Sequence, residues 1–254
     1  MSDFQDLNVS IGGDHVATVE IDRPPHNYFD HALIQSLAEC FGALDEDAGC
    51  RAIVLCANGK SFCAGANFTG PRDNTDPGAL YREAVRLFST KTPVVAAVQG
   101  AAIGGGLGLA LMPDFRIASP EARFAANFAR LGFHHGFGLT VTLPGLVGQQ
   151  AALDLLYTGR RVGGDEALAL GLCDRMVPQE ELRDAAVAFA VEIARSAPLA
   201  VRSIRATMRG DLADRIRAAT DHELEEQDWL RKTADFKEGV KATSERRLPD
   251  FQGN

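Results

Sequence analysis

Residues 92–119 read TPVVAAVQGAAIGGGLGLALMPDFRIAS. Pro93 to Val98 is a short, continuously apolar run, the pattern of a strand buried on both faces. A glycine-rich turn follows, then a helical segment from roughly Gly105 to Met112, then a second strand, Phe115 to Ala118. The same pattern stands upstream, where Ala52 to Ala57 (AIVLCA) runs into the turn Asn58-Gly59-Lys60. Helical segments separate these strands: Asp30 to Asp45, with Asp30 as N-cap, then 79–90 and Gln149 to Thr158. Strands alternating with helices imply an α/β fold with crossover connections.

Outward from this core, residues 7–22 alternate as a hairpin around Gly12-Gly13-Asp14. Beyond Glu180 the chain is helical, with no convincing strand. The expected plan is an α/β core over residues 1–195 and a helical region over 196–254.

The 254 residues are 46% hydrophobic and 24% charged, which supports one sizeable core. A net charge of −8 argues against nucleic acid or an anionic membrane as partner. The five cysteines lack zinc or disulfide spacing, and no apolar stretch has the length of a membrane span. With a polar, acidic Met1–Gln5, these features lead us to expect a cytoplasmic protein. Three nucleotide or hydrolase motifs fail. Gly59-Lys60-Ser61 lacks the first glycine of a phosphate loop because position 54 is Val, and neither GxGxxG after a strand nor GxSxG occurs.

Two loops of small residues remain: Gly59 to Phe68 (GKSFCAGANF) and Gly100 to Gly108 (GAAIGGGLG), each directly after a buried strand. Small side chains expose backbone N–H groups, and two such groups from different loops can form an oxyanion hole. Tight turns and close packing account for either loop taken alone.

These loops, together with Arg23-Pro24…Asn27, TGRRVGGDEALALGLCDRMVP (158–178) and EGVKATSERRLPDF (238–251), make the chain resemble the enoyl-CoA hydratase/isomerase (crotonase) superfamily. The resemblance implies a spiral of ββα turns with a helical trimerisation region, assembled as a homotrimer or a dimer of trimers. It also implies an acyl-CoA substrate, with coenzyme A entering as part of that substrate and no separate cofactor. The oxyanion donors would be the N–H groups of Ala66 and Gly105. Ala64, Gly65, Asn67 and Phe68, with the loop Pro25-His26-Asn27, would line the coenzyme A side. Gly104, Phe128, Leu131 and Gly136 would contact substrate, and Arg246 would reach a coenzyme A phosphate or ribose.

The departures from the family pattern are chemical. The two glutamates that hydrate an enoyl thioester fall on Gly108 and Phe128, neither of which transfers a proton. Ordinary hydration and single-glutamate isomerisation are therefore not expected. Where the family has an apolar residue and Pro, this chain has His134-His135, and an imidazole can serve as acid or base. His135 is the preferred candidate and His134 the second. Adjacent histidines on a loop also serve merely to bond backbone or solvent. A metal site is disfavoured, because consecutive side chains diverge and no third ligand is evident. Phe128, Leu131, Phe133 and Phe137 give the acyl cavity an apolar wall. Cys63 reads as a small buried thiol, Asp114 and Glu121 as turn and capping groups, and His15 and His222 carry no discernible chemistry. The readings are an acyl-CoA lyase or isomerase, a non-catalytic acyl-CoA-binding protein, or a hydrolase on the same scaffold.

Overall fold

The computed structural model describes residues 4–68 and 77–254. The chain opens on an antiparallel hairpin, β1 (Leu7–Ile11) and β2 (Val16–Ile21), as the alternating pattern requires. Helix α1 (His31–Glu46) begins where Asp30 accepts the Leu33 N–H at 2.9 Å, satisfying an orphan amide of its first turn. Then come β3 (Ala52–Ala57), α2 (Pro77–Phe88), β4 (Val94–Val98), β5 (Ala101–Ile103), α3 (Gly105–Leu111), β6 (Phe115–Ala118) and β7 (Arg123–Ala125). The chain continues through α4 (Leu139–Val147), α5 (Gln149–Thr158), β8 (Val162–Gly163), α6 (Gly164–Leu170) and β9 (Arg175–Met176). It closes on α7 (Leu182–Ala194), α8 (Pro198–Arg209), α9 (Leu212–Leu230) and α10 (Ala234–Ser244).

One sheet has the order β1-β2-β3-β4-β6-β9, parallel except for the opening hairpin. A smaller sheet, β5-β7-β8, stands after it. The doubly buried character of β3 and β4 has a direct structural cause. Ile53, Leu55 and Ala57 with Val94, Ala96 and Val98 join the main core, whose other members include Leu33, Leu37 and Phe41 of α1. Ala52, Val54 and Cys56 with Val95 and Ala97 face the opposite way, onto Leu182, Ala186 and Ala190 of α7. Alternate side chains thus enter different cores, and no polar position remains.

The C-terminal helices do not stand apart from this core. Ile216 of α9 is fully buried within it, and Leu230, Phe236 and Val240 pack against it. Helix α8 runs the other way round. Arg205 and Arg209 turn inward to Asp114, with N···O distances of 2.8 and 2.9 Å, while Leu199, Ile204 and Met208 are exposed. Burial opposes ionisation of Asp114, but the two guanidinium groups outweigh it and hold its carboxyl below the usual range. Asp114 also accepts the Val94 N–H at 2.9 Å, so it ties β4 to α8. No helix among the described residues is long and apolar enough to cross a membrane.

Candidate active site

The two small-residue loops are brought side by side. Cys63 bridges to Ala102 in parallel, its N–H donating to Ala101 O at 2.9 Å and its carbonyl accepting the Ile103 N–H at 3.1 Å. This pairing demands glycine at the next turn. A Cβ on Gly106 would lie 2.1 Å from Cys63 O, and Gly104, which caps α3, has φ +57. On the other side of the first loop, the Phe29 N–H donates to Gly65 O at 3.1 Å and Phe29 bridges to Ala66. The Phe29 ring fills the space beside Gly105, with Cζ 2.3 Å from where a Cβ would stand.

Ala66 lies on the first loop, exposed, and Gly105 opens α3, buried. Neither N–H donates a hydrogen bond among the described residues. At Gly105 this follows from position, since the first amides of a helix have no partner within it.

The loop at 23–27 is fastened beneath by Asn27, which is fully buried. Its Oδ1 accepts the Arg23 N–H at 2.9 Å, and its Nδ2 donates to Asn58 O and Ser61 O, both at 2.6 Å. Pro25 and His26 are exposed, and the His26 carbonyl accepts the Ala64 N–H at 3.0 Å. Phe68 is 41% exposed and rests edge-on against Phe133 and Phe236, at 6.0 and 6.3 Å between ring centres. Arg246 is exposed after the end of α10, with φ +56 and no side-chain partner among the described residues. Cys63 is fully buried, and burial pushes its thiol up to about 12, so it is no nucleophile.

Aromatic rings occupy the space at Gly108 and at Phe128. A Cβ on Gly108 would lie 2.6 Å from Phe137 Cβ, so the Phe137 ring excludes any side chain there. Phe128 is buried, with its ring tip 3.8 Å from a Cβ on Gly104 and its ring centre 5.4 Å from that of Phe133. Leu131 lies under α10, where a Cβ on Gly239 would come within 2.5 Å of its carbonyl.

The two histidines stack at 4.1 Å between ring centres but face different neighbours. His135 lies 6.5 Å from the Phe128 ring, and His134 lies 6.2 Å from His222 on α9. Burial, aided by the charges of His134 and His222, pushes His135 down to about 3, so its imidazole is neutral at neutral pH. Its Nε2 is 2.8 Å from Thr140 Oγ1 and 3.8 Å from Glu223 Oε1.

Four contributors carry no signal in the local sequence: Glu223, Gln227, Tyr81 and Thr140. Glu223 is fully buried and accepts the N–H groups of Gly138 and Thr140 at 2.9 and 3.0 Å. Gln227, one turn along α9, donates to the carbonyls of His134 and His135, each at 3.1 Å, and lies 2.8 Å from Tyr81 Oη of α2. Gly136 permits this crowding, because a Cβ there would stand 2.0 Å from Tyr81 Oη. Thr140 completes the set.

The family profile for enoyl-CoA hydratase/isomerase matches residues 12–254. An (E)-benzylidenesuccinyl-CoA hydratase of Thauera aromatica is 34% identical over 250 residues, covering 94% of this chain and 96% of its own. A crotonyl-CoA hydratase of Syntrophomonas wolfei is 34% identical over 244 residues, covering 93% and 94%. Among solved structures, an enoyl-CoA hydratase/isomerase from Pseudoalteromonas atlantica superimposes with a TM-score of 0.88 at 32% identity, over 98% of this chain and 100% of its own. Paired glycine loops, two sheets, C-terminal helices and an end-to-end sequence match lead to one conclusion: the chain belongs to the enoyl-CoA hydratase/isomerase (crotonase) superfamily.

Proposed function

We propose that the protein binds an acyl-CoA thioester and stabilises its enolate between the N–H groups of Ala66 and Gly105. The observation that carries this reading is a pair of amides, unpartnered among the described residues, on two loops zipped together through Cys63 and Ala102. Removal of one such donor elsewhere costs roughly 3 kcal/mol of transition-state stabilisation, so two donors on one oxygen would favour enolate formation.

The proton mover in this reading is His135, with His134 second. The neutral imidazole takes a proton from the thioester α-carbon, the C–H electron pair moves into the carbonyl, and the resulting oxyanion is held by the two amides. Returning the proton to the same or a conjugated carbon completes an exchange or isomerisation, and expelling a β-substituent completes a lyase reaction. Two-glutamate hydration has no place here, since Gly108 and Phe128 stand at those positions. Coenzyme A would lie along Ala64, Gly65, Asn67, Phe68 and the Pro25-His26 loop, with Arg246 toward its phosphates. The apolar wall of Phe128, Phe133 and Leu131 favours a fatty or aromatic acyl group.

The assembly belongs to the same proposal. The outward Leu199, Ile204 and Met208 of α8 are 82%, 63% and 81% exposed, a surface suited to another copy in a homotrimer or dimer of trimers. One observation favours a second reading, binding without turnover: both glutamate positions are not merely empty but packed with aromatic rings.

The test is to incubate the purified protein with saturated, enoyl and 3-hydroxyacyl thioesters, following binding and α-deuterium uptake. Exchange lost in His135→Ala supports the enzyme. Tight binding with neither exchange nor product replaces it with the binding protein.

A further inference from the structure

We propose that Glu223 and Thr140 are positioning residues that lock His135 in its Nε2–H tautomer and thereby present Nδ1 as the basic atom. The structural assignment needs no substrate; its catalytic consequence rests on the reading of His135 as the proton mover.

Glu223 Oε2 receives the Gly138 N–H at 2.9 Å and Oε1 the Thr140 N–H at 3.0 Å. Backbone N–H groups only donate, so both oxygens of Glu223 act as acceptors. Thr140 Oγ1 lies 2.6 Å from the same Oε1, the length of a hydroxyl donating to a carboxylate. That spends the only hydroxyl proton. Toward His135 Nε2, at 2.8 Å, Thr140 Oγ1 can then only accept, and Nε2 must carry the hydrogen. A neutral imidazole has one N–H, so Nδ1 keeps its lone pair. Nδ1 has no partner among the described residues and is not among the buried unpartnered atoms, which leaves it open to a ligand or solvent.

His134 takes the opposite form. Its Nδ1 is 2.9 Å from the His135 carbonyl, which only accepts, so that nitrogen carries the hydrogen. The two stacked rings therefore differ in chemistry as well as position. The loop itself is clamped by Gln227, whose Oε1 in turn accepts from Arg231 at 2.6 Å. The titratable and charged groups around His135 are His134 on its own loop, His222, Glu223 and Arg231 of or beside α9, and Tyr81 of α2. Of these, Glu223 alone can stabilise an imidazolium, through the same hydroxyl that fixes the neutral ring.

The experiment is ¹⁵N NMR of the intact protein labelled at histidine, with His135 assigned by comparison with His135→Gln. Wild type is expected to show a protonated Nε2 and an unprotonated Nδ1. Thr140→Val keeps the side-chain shape and the backbone N–H but removes the hydroxyl, and a mixture of tautomers is expected. Thr140→Ser is expected to restore the wild-type form. α-Deuterium exchange should fall about tenfold in Thr140→Val and recover in Thr140→Ser, with thioester affinity held within about twofold. A wild type protonated at Nδ1, or a tautomer unmoved by Thr140→Val, overturns the assignment. Wild type with the expected tautomer but no exchange upholds it and removes only the base role of His135. Glu223→Gln is less informative, because its amide would face two backbone donors and threaten folding.

Discussion

The loops around Ala66 and Gly105 and the segment from Phe124 to Thr140 lie side by side but are held by different means. The first is built from main chain: paired strands, glycines required by contact distances, and the amides of Ala66 and Gly105, without partners among the described residues. The second is built from side chains, the aromatic rings of Phe128, Phe133 and Phe137 and the stacked imidazoles of His134 and His135. A backbone device cannot be exchanged residue by residue without moving two strands. A side-chain wall can, because each group depends mainly on its own neighbours.

The sharpest way to break the comparison is to attack the backbone device. Gly106→Val places carbon 2.1 Å from Cys63 O, so the loops must separate. The expected cost is about 3 kcal/mol of stability by thermal melting, with thioester binding lost in whatever protein folds. Asn27→Ala removes three hydrogen bonds of a buried side chain under the same loops and should cost about 2–3 kcal/mol in urea unfolding.

The side-chain wall allows a finer test. Gly108→Glu collides with Phe137 and should destabilise by about 2 kcal/mol without creating hydratase activity. Gly108→Glu with Phe137→Ala opens the space and should recover about half of that loss. Equal stability of the single and double variants, measured by unfolding, would show that Phe137 is not what excludes the carboxylate.

Much of the architecture is legible in the residues alone. β3 and β4 stand out because both faces are buried, and the N-cap at Asp30 is bonded as its position implies. β5, β7, β8 and β9 span only two or three residues each, too short for any periodicity to register. Part of the site is hidden for a different reason. Glu223 meets Thr140 across 83 positions and Gln227 meets Tyr81 across 146, and nothing near either residue marks the meeting. His222, without discernible chemistry in the sequence, faces His134 for the same reason. The placement of α9 decides all three.

Acidity separates the two regions more gently. The folded His135 titrates near 3, below its ordinary 6.5, so the unfolded chain binds the proton first. Stability should fall by about 1.4 kcal/mol per pH unit below 6.5 until the folded value is passed. Glu223 acts with the opposite sign. Burial raises it against its hydrogen bonds, so stability is regained as pH falls through its folded value toward 4.5. His135→Gln should flatten the first limb in denaturant titrations and leave the second. The smallest effect is expected at Arg246, whose exposed side chain has no partner among the described residues: Arg246→Ala should weaken acyl-CoA binding by about threefold, more at low salt.

The most direct test of the whole account is the infrared spectrum of a thioester labelled with ¹³C at its carbonyl, bound to the wild-type protein at saturation. Two amide donors on one oxygen weaken the double bond, so the account predicts a carbonyl band at clearly lower frequency than in free acyl-CoA. A bound thioester whose band coincides with the free one would contradict it.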